Sequence, residues 1–182
     1  FYLIKCKPWK IFILHKYIIN NFCSPTSISN IQTDLQKNGL KITRETLHKY
    51  IQALIDAKII SECKRFDLKS RKSIGGEVKY YLTDLSLYYA FNTDNRISYG
   101  QSLENSVYQY LKTTNHEVSV GRIGNFECDF ITRSENSDYA YIQVAYTLHA
   151  EDQESTEKLK EREYRPFRSI KDGYPRYIIS LD

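Results

Sequence analysis

A chain of 182 residues, 41% apolar and 26% charged, suits one ordinary domain or two small ones and excludes wholesale disorder. No apolar run reaches the ~18 residues of a membrane span, and Phe1-Tyr2-Leu3-Ile4 is too short for a secretory signal, so a cytoplasmic protein with no membrane partner is expected. The net charge of +4 divides unevenly: residues 1–84 carry 15 Lys and Arg against 7 Asp and Glu, residues 85–182 carry 11 against 15, and the two balances are +8 and −4. Such asymmetry suggests two modules with different partners.

In the basic half, Trp9, Phe12, Ile13 and Tyr17 recur at helical spacing after Pro8 and predict an amphipathic helix with that face buried. A second helix starts at Ser27, whose hydroxyl suits a cap, runs with Ile28, Ile31 and Leu35 on one face, and stops at Gly39. A third starts at Thr43 and presents Leu47, Tyr50, Ile51, Leu54 and Ile55 to the core. Two β-rich runs follow, 59–68 and 78–83, with Gly75-Gly76 supplying the freedom for a long hairpin turn over 69–76. Three helices and a hairpin are the winged helix-turn-helix arrangement, here placed at residues 1–84.

In a DNA-binding winged helix the third helix enters the major groove and the wing touches the backbone. Gln52 suits adenine, and Arg44 and Lys49 suit phosphate, whereas Glu45 and Asp56 on the same face oppose it. The wing carries Lys64, Arg65, Lys69, Arg71 and Lys72 within nine residues and is the stronger nucleic-acid candidate. The alternative for the same fold is a protein–protein module with solvated lysines.

Residues 85–98 read as a linker containing a short helix at 85–91 and a polar stretch at 92–98. The acidic half, 99–182, then reads as helix (102–113, with Leu103, Val107, Tyr110 and Leu111 inward), three strands (117–120, 126–132, 139–146), a helix (151–165) ended by Pro166, and a strand (174–180). This αβββαβ order predicts a mixed sheet flanked by helices, an α+β or α/β domain.

Strand alternation would set Glu127 and Asp129 on one face and Cys128 and Phe130 on the other. Glu104 on the preceding helix and Asp129 are candidate metal ligands, since converging carboxylates suit Mg²⁺ and a metal-positioned water attacks phosphodiesters. Their structural alternative is capping or local ion pairing. Cys6, Cys23, Cys63 and Cys128 form no CxxC pair, so neither zinc nor a disulfide framework is indicated and a reducing compartment is expected. Met is absent, which predicts a piece of a longer protein.

The segments Lys79-Tyr80-Tyr81-Leu82-Thr83-Asp84, Gly100-Gln101-Ser102-Leu103-Glu104-Asn105, Glu127-Cys128-Asp129-Phe130, Tyr141-Ile142-Gln143-Val144 and Arg162-Glu163 resemble, in order, the C-terminal region of prokaryotic AAA-type ATP-binding proteins. That region is a winged helix followed by a domain similar to the PD-(D/E)xK nucleases, and the likeness extends from about Ser24 onward. The resemblance implies a preceding ATPase core as partner and as the place where ATP binds. This chain has no GxxxxGK[ST], and none of its glycines is followed by Lys.

By that resemblance Asp129 matches the motif aspartate and Glu104 the first-helix acid, with Gln143 where the second acid belongs and Ala145 where the Lys belongs. Glu163 is the candidate replacement acid, and Lys158 or Lys160 the candidate replacement cation. Losing one transition-state contact costs ~10²–10³ in rate. The expectation is therefore an accessory module that binds nucleic acid or a protein through a degenerate nuclease fold, with an active Mg²⁺-dependent DNA endonuclease (Glu104, Asp129, Gln143) and a purely protein-binding module as rivals.

Overall fold

The computed structural model describes residues 8–92, 96–114 and 116–182. The polar stretch expected as a linker lies partly outside them, at residues 93–95, as do Cys6 and residues 1–7. Among the described residues the chain is mixed α+β, with six helices and a mixed seven-stranded sheet in the order β1-β3-β2-β4-β5-β6-β7. No described helix is long and apolar enough to cross a membrane.

The fold divides into two compact units. The first comprises Phe1–Glu62 and Gly76–Arg96, the second Cys63–Gly75 and Ile97–Asp182. The boundary differs from the one at residue 84 expected from charge, because the outer part of the basic hairpin belongs with the second unit. There, Arg65, Phe66 and Asp67 pair in parallel with Val120, Gly121 and Arg122.

In the first unit, α1 (Pro8–Asn20) buries Leu14, Ile18 and Ile19, not the predicted stripe: Trp9 and Phe12 are each 54% exposed. Both faces of α1 are apolar, so spacing alone did not identify the inner one. After the short strand β1 (Thr26–Ser27), α2 (Ile28–Lys37) is capped by Ser27 and buries Ile31 and Leu35. It ends in a Schellman motif, with Leu40 N–H donating to Leu35 O, Gly39 N–H donating to Gln36 O, and Gly39 at φ +81°. Thr43 caps α3 (Arg44–Asp56), which buries Leu47, Tyr50, Ile51 and Leu54, while Ile55 stays half-buried. Its end repeats the Schellman bonds with Lys58 at φ +57° in the glycine position.

The strands β2 (Ile60–Asp67) and β3 (Lys72–Leu82) are joined by a tight turn at 68–71, with Arg71 left-handed at φ +52°. Gly75-Gly76, expected as the turn, lies inside β3. Gly76, at φ +108°, meets the need for a residue without Cβ within the strand. The helix α4 (Ser86–Phe91) is part of the first unit rather than a linker, since the Phe91 ring packs tilted against Phe12 at 5.5 Å and edge-on against His15 at 4.9 Å.

In the second unit, α5 (Tyr99–Lys112) turns Tyr108 inward onto Phe130 at 6.0 Å and leaves Tyr110 68% exposed, reversing the expected assignment. Three antiparallel strands follow, β4 (Glu117–Ile123), β5 (Phe126–Arg133) and β6 (Tyr139–Val144). Then α6 (Gln153–Arg168) crosses over, and β7 (Arg176–Ile179) pairs in parallel with β6. Pro166 does not end α6: in the last turn it forfeits a single backbone hydrogen bond and is itself buried. Cys128, Ile131, Tyr139, Tyr141, Phe167 and Ile170 form a core, against which Phe66 and Leu68 of the hairpin pack.

Candidate functional site

A β-bulge builds the region of Asp129. Ser119 pairs with Ile131 and Gly121 with Cys128, so Val120 alone faces two residues, Asp129 and Phe130. Cys128 and Ile131 consequently lie on one face, both against Gly121, where a Cβ would meet Ile131 Cγ1 at 2.7 Å and Cys128 Cβ at 3.0 Å. This corrects the simple alternation across 127–130: Cys128 is opposite Phe130's core partner Tyr108, on the side of Tyr141 and Phe167.

Pairing of β5 with β6 stops at Phe130 and Ile142, and side chains take over from the ladder. Asp129 Oδ2 accepts from Val144 N–H at 2.8 Å, and the Cys128 thiol points to Ile142 O at 3.3 Å. Burial, then the charge of Asp129, pushes that thiol up to about 12, which favours its neutral form.

Asp129, Gln143 and Glu163 lie on one hydrogen-bonded chain. Asp129 N–H donates to Gln143 Oε1 at 3.4 Å, Gln143 Nε2 donates to Glu163 Oε2 at 3.1 Å, and Arg162 holds Glu163 Oε1 through Nε at 2.8 Å and Nη2 at 2.7 Å. Glu163 is buried, four residues before Phe167 on the inner face of α6. Glu104 is half-buried on α5, which packs on β4, β5 and β6.

Both Glu163 oxygens and the Gln143 oxygen are committed within the chain, Arg162 neutralises Glu163, and among the described residues no three His, Cys, Asp or Glu converge as metal ligands. The position expected for the lysine holds Ala145, buried, with its N–H bonded to Ile179 O. The suggested replacements are engaged elsewhere: Lys158 pairs with Glu154, and Lys160 with Glu157 at 3.8 Å. Arg162, adjacent to Glu163 in the sequence, is the cation of this cluster.

The nucleic-acid candidates separate into two groups. On α3, Arg44, Lys49 and Gln52 are exposed, but Lys49 pairs with Glu45 at 2.6 Å and Gln52 bonds Asp56 at 2.8 Å, so that face largely neutralises itself. On the hairpin, Arg65 is committed to Glu127 at 3.1 Å. Lys64, Lys69 and Lys72 are exposed and enter no ion pair among the described residues, and Arg71 lies over the Tyr139 ring at 5.4 Å.

Residues 13–97 match the family described as "Domain of unknown function (DUF8612)". The chain is 26% identical over 162 residues to an uncharacterized protein of Haemophilus influenzae, covering 89% of this chain and 37% of that protein. It is 29% identical over 168 residues to the uncharacterized protein MJ1544 of Methanocaldococcus jannaschii, covering 90% of this chain and 35% of that protein. The chain thus spans about a third of the length of these relatives. No solved structure matches it.

Proposed function

We propose that this chain is the nucleic-acid-binding accessory module of a longer AAA-type ATPase, a winged helix followed by a PD-(D/E)xK-like domain that binds without cutting. The observation that carries this reading is the chain Asp129–Gln143–Glu163–Arg162. The Gln143 oxygen and both Glu163 oxygens accept within that chain, Asp129 Oδ2 accepts from Val144 N–H, and Ala145 supplies no cation. The helix–three strands–helix–strand order of the second unit supports the nuclease-like assignment. The uncompensated Lys64, Lys69, Arg71 and Lys72 favour the hairpin as the surface that meets phosphates. The ATPase assignment rests on the sequence resemblance, and the greater length of the relatives leaves room for such a core.

The first unit reads better as the protein-facing one. Its α3 surface is internally paired, whereas Trp9, Phe12 and Ile13 of α1 stand exposed, as a contact to the ATPase core would use them.

The test is incubation of supercoiled and linear DNA with Mg²⁺ or Mn²⁺, wild type beside Asp129→Asn. No nicking by either, with retention of labelled DNA at low salt, is expected. Nicking by the wild type that disappears in the variant would overturn the non-cutting reading. Calorimetry with Mg·ATP is expected to show no micromolar nucleotide binding to this chain, since it contains no GxxxxGK[ST].

A further inference from the structure

Within the second unit, three separate turns converge on a cleft of about 530 Å³. The hairpin turn brings Lys69 and Arg71, the β4–β5 turn brings Gly124, and the segment after α6 brings Ser169, Lys171 and Asp172. This volume falls in the ~300–1,000 Å³ range of small-molecule sites. We infer that it is a phosphate seat, taking one backbone phosphate of a bound nucleic acid. The inference rests on the nucleic-acid reading for its ligand and adds Lys171, which no sequence feature had singled out.

Charge is the first ground. Lys69, Arg71 and Lys171 enter no ion pair among the described residues, whereas Lys37, Lys49, Lys158 and Lys160 all sit beside carboxylates. Three like charges brought together from two turns distant in the sequence repel one another unless an anion lies among them. The single acid in the cleft is already engaged: Asp172 accepts from the Tyr141 hydroxyl at 2.6 Å and from Tyr174 N–H at 3.2 Å. Burial and that carboxylate hold the Tyr141 phenol well above its usual range, so the proton stays on the tyrosine and the bond persists.

Rigidity is the second ground. Arg176 Nη2 donates to Ile170 O at 3.2 Å and to Asp172 O at 2.7 Å, fixing the turn that carries Lys171. Opposite it, Gly124 at φ +63° opens a two-residue hairpin turn between the paired Ile123 and Phe126, and Arg122 Nε donates to Gly124 O at 3.2 Å. Arg71 is oriented by the Tyr139 ring. The cations therefore stand on braced turns, and little ordering is left to do when a phosphate arrives.

The experiment measures anisotropy of a labelled 20-nucleotide single strand and of the matching duplex against the intact chain across a salt series, for wild type, Lys171→Gln, Lys171→Glu and, as control, Lys49→Gln. Pyrophosphate and Mg·ATP serve as competitors, and thermal melts confirm that the variants fold. The expected result is a log–log salt slope shallower by ~0.7 on single strands or ~0.9 on duplex for Lys171→Gln, a larger loss for Lys171→Glu, and no change for Lys49→Gln. DNA bound equally well by wild type and both Lys171 variants would overturn the seat and leave the nucleic-acid reading standing. No DNA binding, together with Lys171-dependent pyrophosphate or ATP binding, would keep the seat and overturn the nucleic-acid reading. Failure to bind any of them would overturn both.

Discussion

The carboxylate of Asp129 accepts the backbone N–H of Val144 at 2.8 Å, just beyond Phe130 and Ile142, where the pairing of β5 with β6 ends. An aspartate on a sheet strand beside a helix carboxylate invites a metal, yet here its oxygen takes the place of a backbone carbonyl as acceptor for Val144 N–H. Deleting it would leave the Val144 donor without this partner, a cost of about 1–3 kcal/mol. Asp129→Ala should therefore lower the urea midpoint clearly, while Asp129→Asn, whose amide oxygen can still accept, should keep most of the stability. An alanine variant as stable as wild type would show that this bond contributes nothing.

The extent to which the sequence revealed this arrangement follows from the range of each interaction. The caps at Ser27 and Thr43 and the stop at Gly39 are local and were legible. The inner faces of α1 and α5 were not, because Trp9 and Leu14, or Tyr108 and Tyr110, are equally apolar by spacing and only packing separates them. The bulge was invisible for a related reason: Glu127-Cys128-Asp129-Phe130 alternates perfectly, and the extra residue exists only relative to Val120 on another strand. Asp129, Gln143 and Glu163 were grouped through the sequence resemblance, whereas the hydrogen bonds that link them depend on three elements meeting.

Gly121 should tolerate no side chain. The ideal Cβ position lies 2.7 Å from Ile131 Cγ1 and 2.9 Å from its Cδ1, inside the core that the bulge creates. Gly121→Ala should cost about 1–3 kcal/mol by overpacking, whereas Gly173→Ala, with nothing within 4 Å, should be close to neutral. Chemical denaturation of the pair checks this, and equal midpoints would remove the bulge from the list of packed features.

Asp182 closes the loop after β6. Its carboxylate accepts from the Thr147 hydroxyl at 2.6 Å and from Leu148 N–H at 2.9 Å, and these bonds, led by that of Thr147, hold its pKa well below the usual carboxylate range. A depressed folded value means that the stabilisation is present above the unfolded value of ~3.9 and is lost as pH falls through the folded one. An NMR titration should accordingly find the Leu148 amide unperturbed from neutrality down through pH 4 and shifting only under stronger acid. Asp182→Asn should abolish that transition, and a carboxyl titrating at its ordinary value would contradict the clamp.

The hairpin carries the remaining prediction. Lys69 and Lys72 are exposed without ion-pair partners among the described residues, and Arg71 extends between them from a left-handed turn residue over Tyr139. Each phosphate neutralised by such a cation contributes ~0.9 to the salt slope on duplex DNA. Replacing all three by alanine should therefore flatten the slope by ~2.7 and weaken binding uniformly across sequences, since phosphate contacts carry no base information. Because Arg71→Ala also removes the contact with Tyr139, the Lys69→Ala, Lys72→Ala double variant is the cleaner comparison, with an expected change of ~1.8. On α3, Lys49→Ala exposes Glu45 instead of removing a free charge, so any effect there should be small. A slope that stays constant in the hairpin variants and falls in the α3 variant would transfer DNA contact from the hairpin to α3, and would remove the electrostatic ground on which the second unit is assigned its ligand.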